Sequence, residues 1–258
     1  MRYWSPFIEE ALDQIQRDKI DRLIVLPLYP QFSVSTTGSS LNRMHAIVSE
    51  NGITMPPTSV ICSFEGDPNY IGAMESSIQE KLEGLSDTDA SQTHILFSAH
   101  SVPVRYINEG DPYLDQTKRT VKLVMDRIGN RYAHTLSFQS KVGPVEWLTP
   151  ATNETIPKLA REGVTRLILV PVSFVSEHSE TLYEMDILYR DLAAESGITD
   201  YRRVSAMNCR RDFIDALAFL VERALAGCTG GSDRSVCLHA ADRSSADAPS
   251  CACEKIED

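Results

Sequence analysis

The sequence contains no long hydrophobic run, and it is poor in cations. No apolar run approaches the ~18 residues that a membrane-spanning helix requires, so we expect no transmembrane segment. Lys and Arg number 25 against 36 Asp and Glu, a formal charge of −11, which argues against a nucleic-acid surface because phosphate binding needs clustered cations. The residues MRYWSPFIEE at the start lack a basic segment followed by an apolar one, so we expect no secretory signal and a cytoplasmic location.

Cysteine is also scarce, with six residues in 258, which excludes a disulfide-dense scaffold. Four of the six follow residue 227, in a segment that is rich in Gly, Ser, Ala and Asp and has no aromatic residue. Such a composition buries too little apolar surface to order itself. We therefore expect residues 227–258 to form a flexible tail unless a ligand holds them.

The rest of the chain alternates short apolar runs with longer amphipathic segments. The runs of strand length are RLIVLPLY (22–29), SVICSF (59–64), HILFSAH (94–100), HTLSFQS (134–140), RLILVPVSF (166–174) and a short one near 204–207. Helical spacing of apolar residues occurs around 5–18, 40–49, 69–85, 112–128, 153–161, 178–194 and 211–226. Strands that are apolar on both faces, separated by helices, predict an α/β protein with parallel sheets covered on both sides. The polar stretch between residues 85 and 93 is the predicted boundary between two such units.

Polar residues follow several of these strands, at the sheet edge where parallel sheets bind ligands. The hydroxyl-rich loop YPQFSVSTTGSS (29–40) suits either an anion site or ordinary turn and helix-cap hydrogen bonds. Another strand ends in Ser98, Ala99 and His100. A histidine in that place serves as a base, as a metal ligand or as a structural residue, and its position alone does not distinguish these roles.

The segment VSEHSETLYEMD (175–186) is the most acidic of these strand exits. Glu180 and Glu184 are four residues apart and therefore lie on one face of the predicted helix, where like charges repel. The face is either a solvated acidic surface or a row of carboxylates that accepts protons or guides a divalent metal, with His100 opposite it. For the adjacent Glu177 and His178, structural and functional roles both stay open.

Four segments together resemble the ferrochelatase family. They are RLIVLPLYPQFSVSTTGSSL (22–41), ILFSAHSVP (95–103), QSKVGPVEWL (139–148) and PVSFVSEHSETLYEMD (171–186), in the family's order and approximate spacing. The resemblance covers residues 1 to about 226. It implies a chelatase-like fold of two Rossmann-like α/β domains and an enzyme, a lyase of haem biosynthesis, that inserts Fe²⁺ into a porphyrin.

The resemblance also implies roles for three residues of the candidate site. The pocket histidine of the family's SAHS motif corresponds to His100, and the metal-site glutamate of its [DE]HxET motif corresponds to Glu180, so we expect both to be catalytic and to bind the metal. Glu184, one turn along, would neutralise or relay charge. The family's acidic row commonly continues one turn further, where this chain has Leu188.

A planar, apolar substrate needs a hydrophobic slot as well as polar contacts. We expect Ser140 and Trp147, in the loop after the fourth long strand, to bind the substrate. Phe138 and Phe174 are further candidates for the slot, and for Phe174 an ordinary core position is the better interpretation.

The domain organisation is predicted from the same resemblance. The family's first domain begins well before the position that matches Met1, so we expect an incomplete first domain whose C-terminal part is residues 1–88. Residues 89–226 would form the second domain with the metal site, and its last helix could pack back on the first domain. Residues 227–258 would be the cysteine-containing tail.

The tail cysteines raise the question of a cofactor. Some members of the family hold a [2Fe–2S] cluster through C-terminal cysteines and one in the core, and Cys237, Cys251 and Cys253 are the candidate ligands here. Cys62 and Cys209 could complete the set, although a buried structural cysteine is the better interpretation of each. The cluster stays open at this point.

Two classes of function remain. One is a ferrochelatase with Fe²⁺ as a substrate, and the other is a truncated, catalytically impaired protein that binds a tetrapyrrole or a metal. The expected partners are a porphyrin and ferrous iron, without nucleic acid. A peripheral membrane contact, the oligomeric state and the choice between protoporphyrin and coproporphyrin stay open.

Overall fold

The computed structural model describes residues 5–129, 131–227 and 236–237, and its contacts divide the chain into two units. The first unit combines the residues up to Phe64 with those from Leu217 onwards, and the second runs from Glu65 to Ala216. The last long helix, α9 (Arg211–Gly227), crosses this division.

The first unit is built on a small parallel sheet. Its other elements are α1 (Ile8–Asp18), β1 (Leu23–Val25), a first π-helix (Val34–Gly38), α2 (Ser39–Asn51), β2 (Thr58–Val60) and β7 (Val236–Cys237). The strands pair in the order β1-β2-β7, all parallel. The buried residues of its core are Phe32, Leu41, Val60 and Cys62.

The hydroxyl-rich loop after β1 forms the first π-helix. Ser33 precedes that helix, and its hydroxyl accepts a hydrogen bond from the backbone N–H of Ser35. The Thr36 hydroxyl in turn donates to the Ser33 carbonyl oxygen. These contacts are the helix-cap and turn hydrogen bonds that such a sequence favours, which is one of the two interpretations that the sequence allowed.

The second unit is larger and has four strands. Its elements are α3 (Pro68–Leu82), α4 (Asp87–Ala90), β3 (Thr93–His100), α5 (Val104–Asn108), α6 (Tyr113–Ile128), β4 (Ala133–Gln139), α7 (Thr152–Arg161), β5 (Arg166–Pro171), a second π-helix (Glu180–Leu188), α8 (Tyr189–Ser196) and β6 (Asp200–Arg203). The strands pair in the order β4-β3-β5-β6, all parallel. The prediction of an α/β protein with parallel sheets in two units is confirmed.

The central strand β3 explains the apolar pattern of the sequence. Every residue of β3 except the last is buried, because helices cover both faces of the sheet. His100, the exception, pairs in register with Gln139 at the end of β4, and Ser98 pairs with Pro171 at the end of β5. The carboxyl ends of β3, β4 and β5 therefore meet at one edge of the sheet.

The division between the units falls after Phe64, whereas the sequence pattern placed it near residue 88. The reason is α3, whose apolar residues pack against α6 and β5 in the second unit. The Tyr70 hydroxyl of α3 also donates to the Val172 carbonyl oxygen just after β5, at 3.4 Å. In the first unit, Arg22 donates to the Leu225 carbonyl oxygen near the end of α9, at 3.1 Å.

The last strand and the helix after β5 differ from the sequence prediction. The last strand of the second unit is Asp200–Arg203 rather than residues 204–207, and its charged side chains form ion pairs, such as Arg166 with Asp200. The single helix predicted at 178–194 is a π-helix followed by α8. Among the described residues, no helix is both long and apolar enough to cross a membrane.

Candidate active site

The candidate site lies in the second unit, where the carboxyl ends of the strands meet the second π-helix. His100 is the last residue of β3, and Glu180 is the first residue of the π-helix. The His100 Nδ1 atom lies 2.7 Å from Glu180 Oε2. The two side chains are 42% and 33% exposed, so solutes can reach a pair that is partly shielded from water.

The backbone of His100 is held on both sides. Its N–H donates to the Ser173 hydroxyl at 2.8 Å, and its carbonyl oxygen accepts from the Tyr113 hydroxyl at 2.8 Å. Burial raises the pKa of the Tyr113 hydroxyl, so this group stays protonated and donates. The His100 ring also makes an edge-to-face contact with Phe174. The imidazole is therefore presented from a fixed backbone.

Glu180 is positioned by local hydrogen bonds at the start of the π-helix. Its backbone N–H donates to His178 Nδ1 at 3.2 Å, and the His178 N–H donates to the Thr181 hydroxyl at 3.0 Å. The hydrogen bond with His100 lowers the pKa of the Glu180 carboxyl, although burial opposes it. Glu180 is thus ionised at neutral pH. An ionised carboxylate only accepts hydrogen bonds, so His100 Nδ1 carries the proton, and Nε2 keeps the lone pair in the neutral ring.

Ser140 connects the two carboxylates. Its hydroxyl oxygen lies 2.9 Å from Glu180 Oε2 and 2.9 Å from Glu184 Oε1. A serine hydroxyl has one proton, so it donates to one carboxylate at a time. Ser140 also has a φ of 62°, in the left-handed region that residues other than glycine rarely adopt. Such strain persists where the surroundings impose it, and here the result is a hydroxyl directed between two carboxylates.

The helix that carries the carboxylates is a π-helix, with i→i+5 hydrogen bonding, over all of Glu180–Leu188. The sequence spacing predicted that Glu180 and Glu184 share a face, and both do accept from the same Ser140 hydroxyl. Leu188, at the end of this helix, is 43% exposed. The position one turn beyond Glu184 is therefore apolar surface rather than a third acid.

A cleft of about 470 Å³ lies beside Glu184. It is lined by Phe138, Gln139, Ser140, Lys141, Asn153, Tyr183, Glu184, Leu188, Tyr189 and Leu192. Lys141 stands 3.5 Å from Glu154, so its charge is partnered by an exposed acid. The cleft gives solvent a route to Glu184 between walls that combine polar side chains with aromatic and aliphatic ones.

The remaining predicted substrate residues lie in different surroundings. Trp147 belongs to the loop after β4, where it forms an isolated antiparallel β-bridge with Pro103. It is not among the residues that line the cleft. Phe138 is buried and does line the cleft. Phe174 packs its ring against both His100 and His178, so it belongs to the site as well as to the edge of the core. Substrate binding by Ser140 and Trp147 stays a prediction.

Glu177 faces away from the site, towards Arg203. Its Oε1 atom lies 2.7 Å from Arg203 Nη1 and accepts the Ala206 N–H at 2.9 Å. Arg203 also donates to Asp186 on the π-helix, at 2.8 Å. Burial opposes ionisation of Glu177, but the donors around it outweigh burial and lower the pKa of its carboxyl. Of the two roles that the sequence allowed for Glu177, these contacts support the structural one.

The predicted cluster cysteines lie largely beyond the described side chains. The backbone of Cys237 belongs to β7, and Cys251 and Cys253 fall outside the described residues. Cys62 is buried and disulfide-bonded, so it is not free to bind iron while that bond exists. Cys209 is exposed, contrary to the expectation that it is a buried core cysteine.

Within the described part of the chain, no group of three or more His, Cys, Asp or Glu side chains forms a ready-made metal site. His100 and Glu180 are two side chains of a kind that could bind a metal, whereas a structural zinc site uses four ligands.

Sequence reasoning did not single out four residues that the structure places around this pair. Gln139 and Tyr189 donate to Glu184, while Tyr113 and Ser173 hold the backbone of His100. Gln139 and Ser173 lie inside segments that carry the family resemblance, so the sequence gave a signal for both. Tyr113 and Tyr189 lie outside those segments, and the sequence does not show that their hydroxyls bond to His100 and Glu184, 13 and 5 positions away.

Solved structures with a similar arrangement define the class of fold. SirB from Bacillus subtilis, solved with Fe³⁺, covers 87% of this chain and 79% of its own with a TM-score of 0.64 at 13% identity. The sirohydrochlorin chelatase SirB in complex with cobalt gives a TM-score of 0.57 at 12% identity, over 88% of this chain and 80% of its own. The chain thus has a chelatase-like α/β fold.

Sequence comparison then identifies the family. The ferrochelatase family model matches residues 1–225, and the chain belongs to the ferrochelatase family. Ferrochelatase from Gloeobacter violaceus is 49% identical over 223 residues, which are 86% of this chain and 68% of that protein. Ferrochelatase from Thermosynechococcus vestitus is 47% identical over 88% of this chain and 58% of its own. Ferrochelatase-2, chloroplastic, from Hordeum vulgare is 46% identical over 92% of this chain and 49% of its own length. The chain spans about half to two thirds of the length of these relatives.

Proposed function

We propose that this protein is a ferrochelatase that inserts Fe²⁺ into a porphyrin in haem biosynthesis, at the His100–Glu180 pair. The observation that carries the proposal is the 2.7 Å contact between His100 Nδ1 and Glu180 Oε2, at the edge of a chelatase-like sheet. Membership of the ferrochelatase family supports the choice of reaction.

Insertion of a metal into a porphyrin needs a group that accepts protons and a group that binds the metal. As Fe²⁺ enters, two pyrrolic N–H bonds break, the nitrogen electron pairs bind the metal, and two protons leave. When the His100 ring is neutral and its Nδ1 donates to Glu180, Nε2 has the lone pair that can accept a proton or bind iron. The ionised Glu180 offers a hard oxygen ligand, and Fe²⁺ accepts both imidazole and carboxylate. The Ser140 hydroxyl can donate its hydrogen bond either to Glu180 or to Glu184.

The test is metal insertion by the full chain, followed anaerobically with Fe²⁺, or with Zn²⁺ as a probe, through the change in porphyrin absorbance and fluorescence. His100→Ala should lower the rate by about 100-fold or more, because a general base or ligand at the reacting centre is lost. His45→Ala is the matched control, since His45 is exposed and lies in the first unit. Insertion by the His100→Ala variant at the rate of the unmodified chain would overturn the assignment.

A second candidate is a protein that binds a tetrapyrrole or a metal without catalysis. Such binding would need only the accessible His100–Glu180 pair and the cleft beside Glu184. Saturable porphyrin binding without insertion of either metal, under conditions in which a full-length relative is active, would support it. We place either activity in the cytoplasm, and cell fractionation with a labelled chain checks that location.

A further inference from the structure

Three neutral donors converge on the carboxylate of Glu184. Ser140 lies 2.9 Å from its Oε1 atom, while the Tyr189 hydroxyl and Gln139 Nε2 lie 3.1 and 3.2 Å from its Oε2 atom. None of the three carries a positive charge. The carboxylate is therefore held by directed hydrogen bonds rather than by an ion pair.

Two of these donors keep Glu184 in place whatever Ser140 does. The single Ser140 proton is shared between Glu184 and Glu180, because both carboxylates lie 2.9 Å from its oxygen. When the hydroxyl donates to Glu180, the bonds from Tyr189 and Gln139 to Glu184 remain. The position of the Glu184 carboxylate is thus independent of whether Ser140 donates to Glu180.

The orientation of the Gln139 amide is determined by its neighbours. Its Oε1 atom accepts from the Ser98 hydroxyl at 2.6 Å, and its Nε2 atom also donates to the Glu180 carbonyl oxygen at 3.3 Å. A reversed amide would direct its oxygen at that carbonyl and at Glu184, so oxygen would face oxygen. Ser98 in turn contacts the Thr152 hydroxyl at 2.8 Å, and all three of these polar side chains are buried.

Tyr189 is equally constrained as a donor. It is the first residue of α8 and is buried in the core of the second unit. Burial, and next the charge of Glu184, raise the pKa of its hydroxyl, which keeps the proton on the phenol. Its hydroxyl therefore contributes a hydrogen-bond donor at neutral pH.

We propose that Gln139 and Tyr189 are positioning residues for metal insertion. They hold the Glu184 carboxylate beside the Ser140 hydroxyl, both when that hydroxyl donates to Glu184 and when it donates to Glu180. The proposal rests on the proposed function. Such a pre-positioned acceptor needs no rearrangement when a proton or a cation reaches the site, and this reduces the cost of the reaction. Because Leu188 is apolar, Glu184 is the outermost carboxylate of this row, so its position should matter to the metal substrate rather than to the porphyrin.

Tyr189→Phe, with Tyr201→Phe as the control, tests the proposal in the full chain. Each change removes one phenol hydroxyl that bonds to the second π-helix, since the Tyr201 hydroxyl donates to the Met185 carbonyl oxygen at 2.5 Å. With Zn²⁺ as the probe metal, Tyr189→Phe and Gln139→Met should each lower kcat/KM for the metal about tenfold, as expected for a lost bond to a carboxylate, with KM for porphyrin unchanged. Tyr201→Phe should change kcat/KM for the metal less than about twofold.

A double-mutant cycle with Glu184→Ala separates positioning from general stability. In the Glu184→Ala background, Tyr189→Phe should cause no further loss of kcat/KM, because the group that it positions is gone. Multiplicative losses, or an equal effect of Tyr201→Phe, would overturn the proposal. If the unmodified chain inserts no metal, the proposed function is wrong, but the contact can still be tested. The melting temperatures of the same set of variants are then compared in place of kcat/KM. Coupling of Glu184 to Tyr189 but not to Tyr201 then supports the positioning contact, and additivity for both overturns it.

Discussion

At the scale of single residues, the site depends on neighbours that decide which atom of a side chain is available. Glu180 accepts a hydrogen bond from His100 Nδ1, so in the neutral ring Nε2 is the nitrogen with the lone pair. Ser140 holds an unusual backbone conformation and places one hydroxyl proton between two carboxylates. The two glutamates are therefore not equivalent, since only Glu180 contacts the imidazole.

This difference predicts unequal effects of two neutralising changes. Glu180→Gln should lower the rate of metal insertion by about 100-fold, because the ionised partner of His100 is lost, and Glu184→Gln by about tenfold. Insertion rates and melting temperatures are measured together, since removing one of two like charges can also stabilise the helix. Equal rate losses would point to a general electrostatic effect and contradict the separate roles.

A second histidine gives a prediction about stability and pH. His94 is the second residue of β3, and its Nε2 atom lies 2.9 Å from the Thr135 hydroxyl. Burial, with a smaller contribution from His134, lowers its pKa to about 4. Between the ordinary pKa of about 6.5 and this value, the unfolded chain binds more protons than the folded one. Stability should therefore fall as the pH drops from about 6.5 to about 4, by at most about 3 kcal/mol from this residue.

Urea unfolding of the full chain at several pH values checks this expectation. His94→Asn should flatten the acid side of the stability profile, because the side chain no longer titrates while a polar partner for Thr135 is kept. His45→Asn, at an exposed position, should leave the slope as it is. A profile for His94→Asn that is as steep as that of the unmodified chain would show that other groups cause the acid sensitivity.

At the scale of elements, the second π-helix is held by ion pairs that lie outside the site. Arg203, at the end of β6, binds Glu177 before the helix and Asp186 within it. The Arg203 side chain is only 12% exposed, so these charges are partly shielded from water. One cation thus fixes the segment that carries Glu180 and Glu184 to the edge of the sheet.

Arg203→Met should destabilise the second unit by about 3 kcal/mol, because it leaves two carboxylates without their cation. The measurement is chemical unfolding of the full chain. Arg190→Met is the control, since Arg190 lies on the adjacent α8, is mostly exposed and pairs with its exposed neighbour Asp191. This change should cost less than about 0.5 kcal/mol. Similar losses from both changes would mean that the Arg203 pairs add no more than surface charges.

At the scale of the whole molecule, two parallel-sheet units of unequal size share one chain, and the described part of the candidate site lies entirely in the larger. The smaller unit contributes β7, whose second residue is Cys237. The remaining candidate cluster ligands, Cys251 and Cys253, lie outside the described residues. A [2Fe–2S] cluster is therefore a property to be tested on the complete chain.

If Cys237, Cys251 and Cys253 bind a cluster with a fourth cysteine, protein purified without oxygen from iron-replete cells should absorb in the visible range. It should contain about two irons and two inorganic sulfides per chain. The matched control replaces these three cysteines by serine and should be colourless. Colourless unmodified protein from the same preparation would remove the cluster from consideration.

The sequence by itself determined the α/β class, the parallel sheets and the pairing of His100 with Glu180. Buried strands between helices have a distinctive apolar pattern, and the resemblance to ferrochelatases marked both residues before any geometry was known. Spacing also placed Glu180 and Glu184 on one face, because residues four apart are neighbours on a helix.

Only the tertiary structure decided the rest of the site. An i, i+4 pattern does not distinguish an α-helix from a π-helix, since the hydrogen bonds that differ are made by the backbone. The partner of a polar side chain depends on residues far away in the chain: Gln139 and Glu184, which bond at 3.2 Å, are 45 positions apart. The boundary after Phe64 has the same origin, because α3 joins the unit against which its apolar face packs, whatever the composition of the loop that follows it.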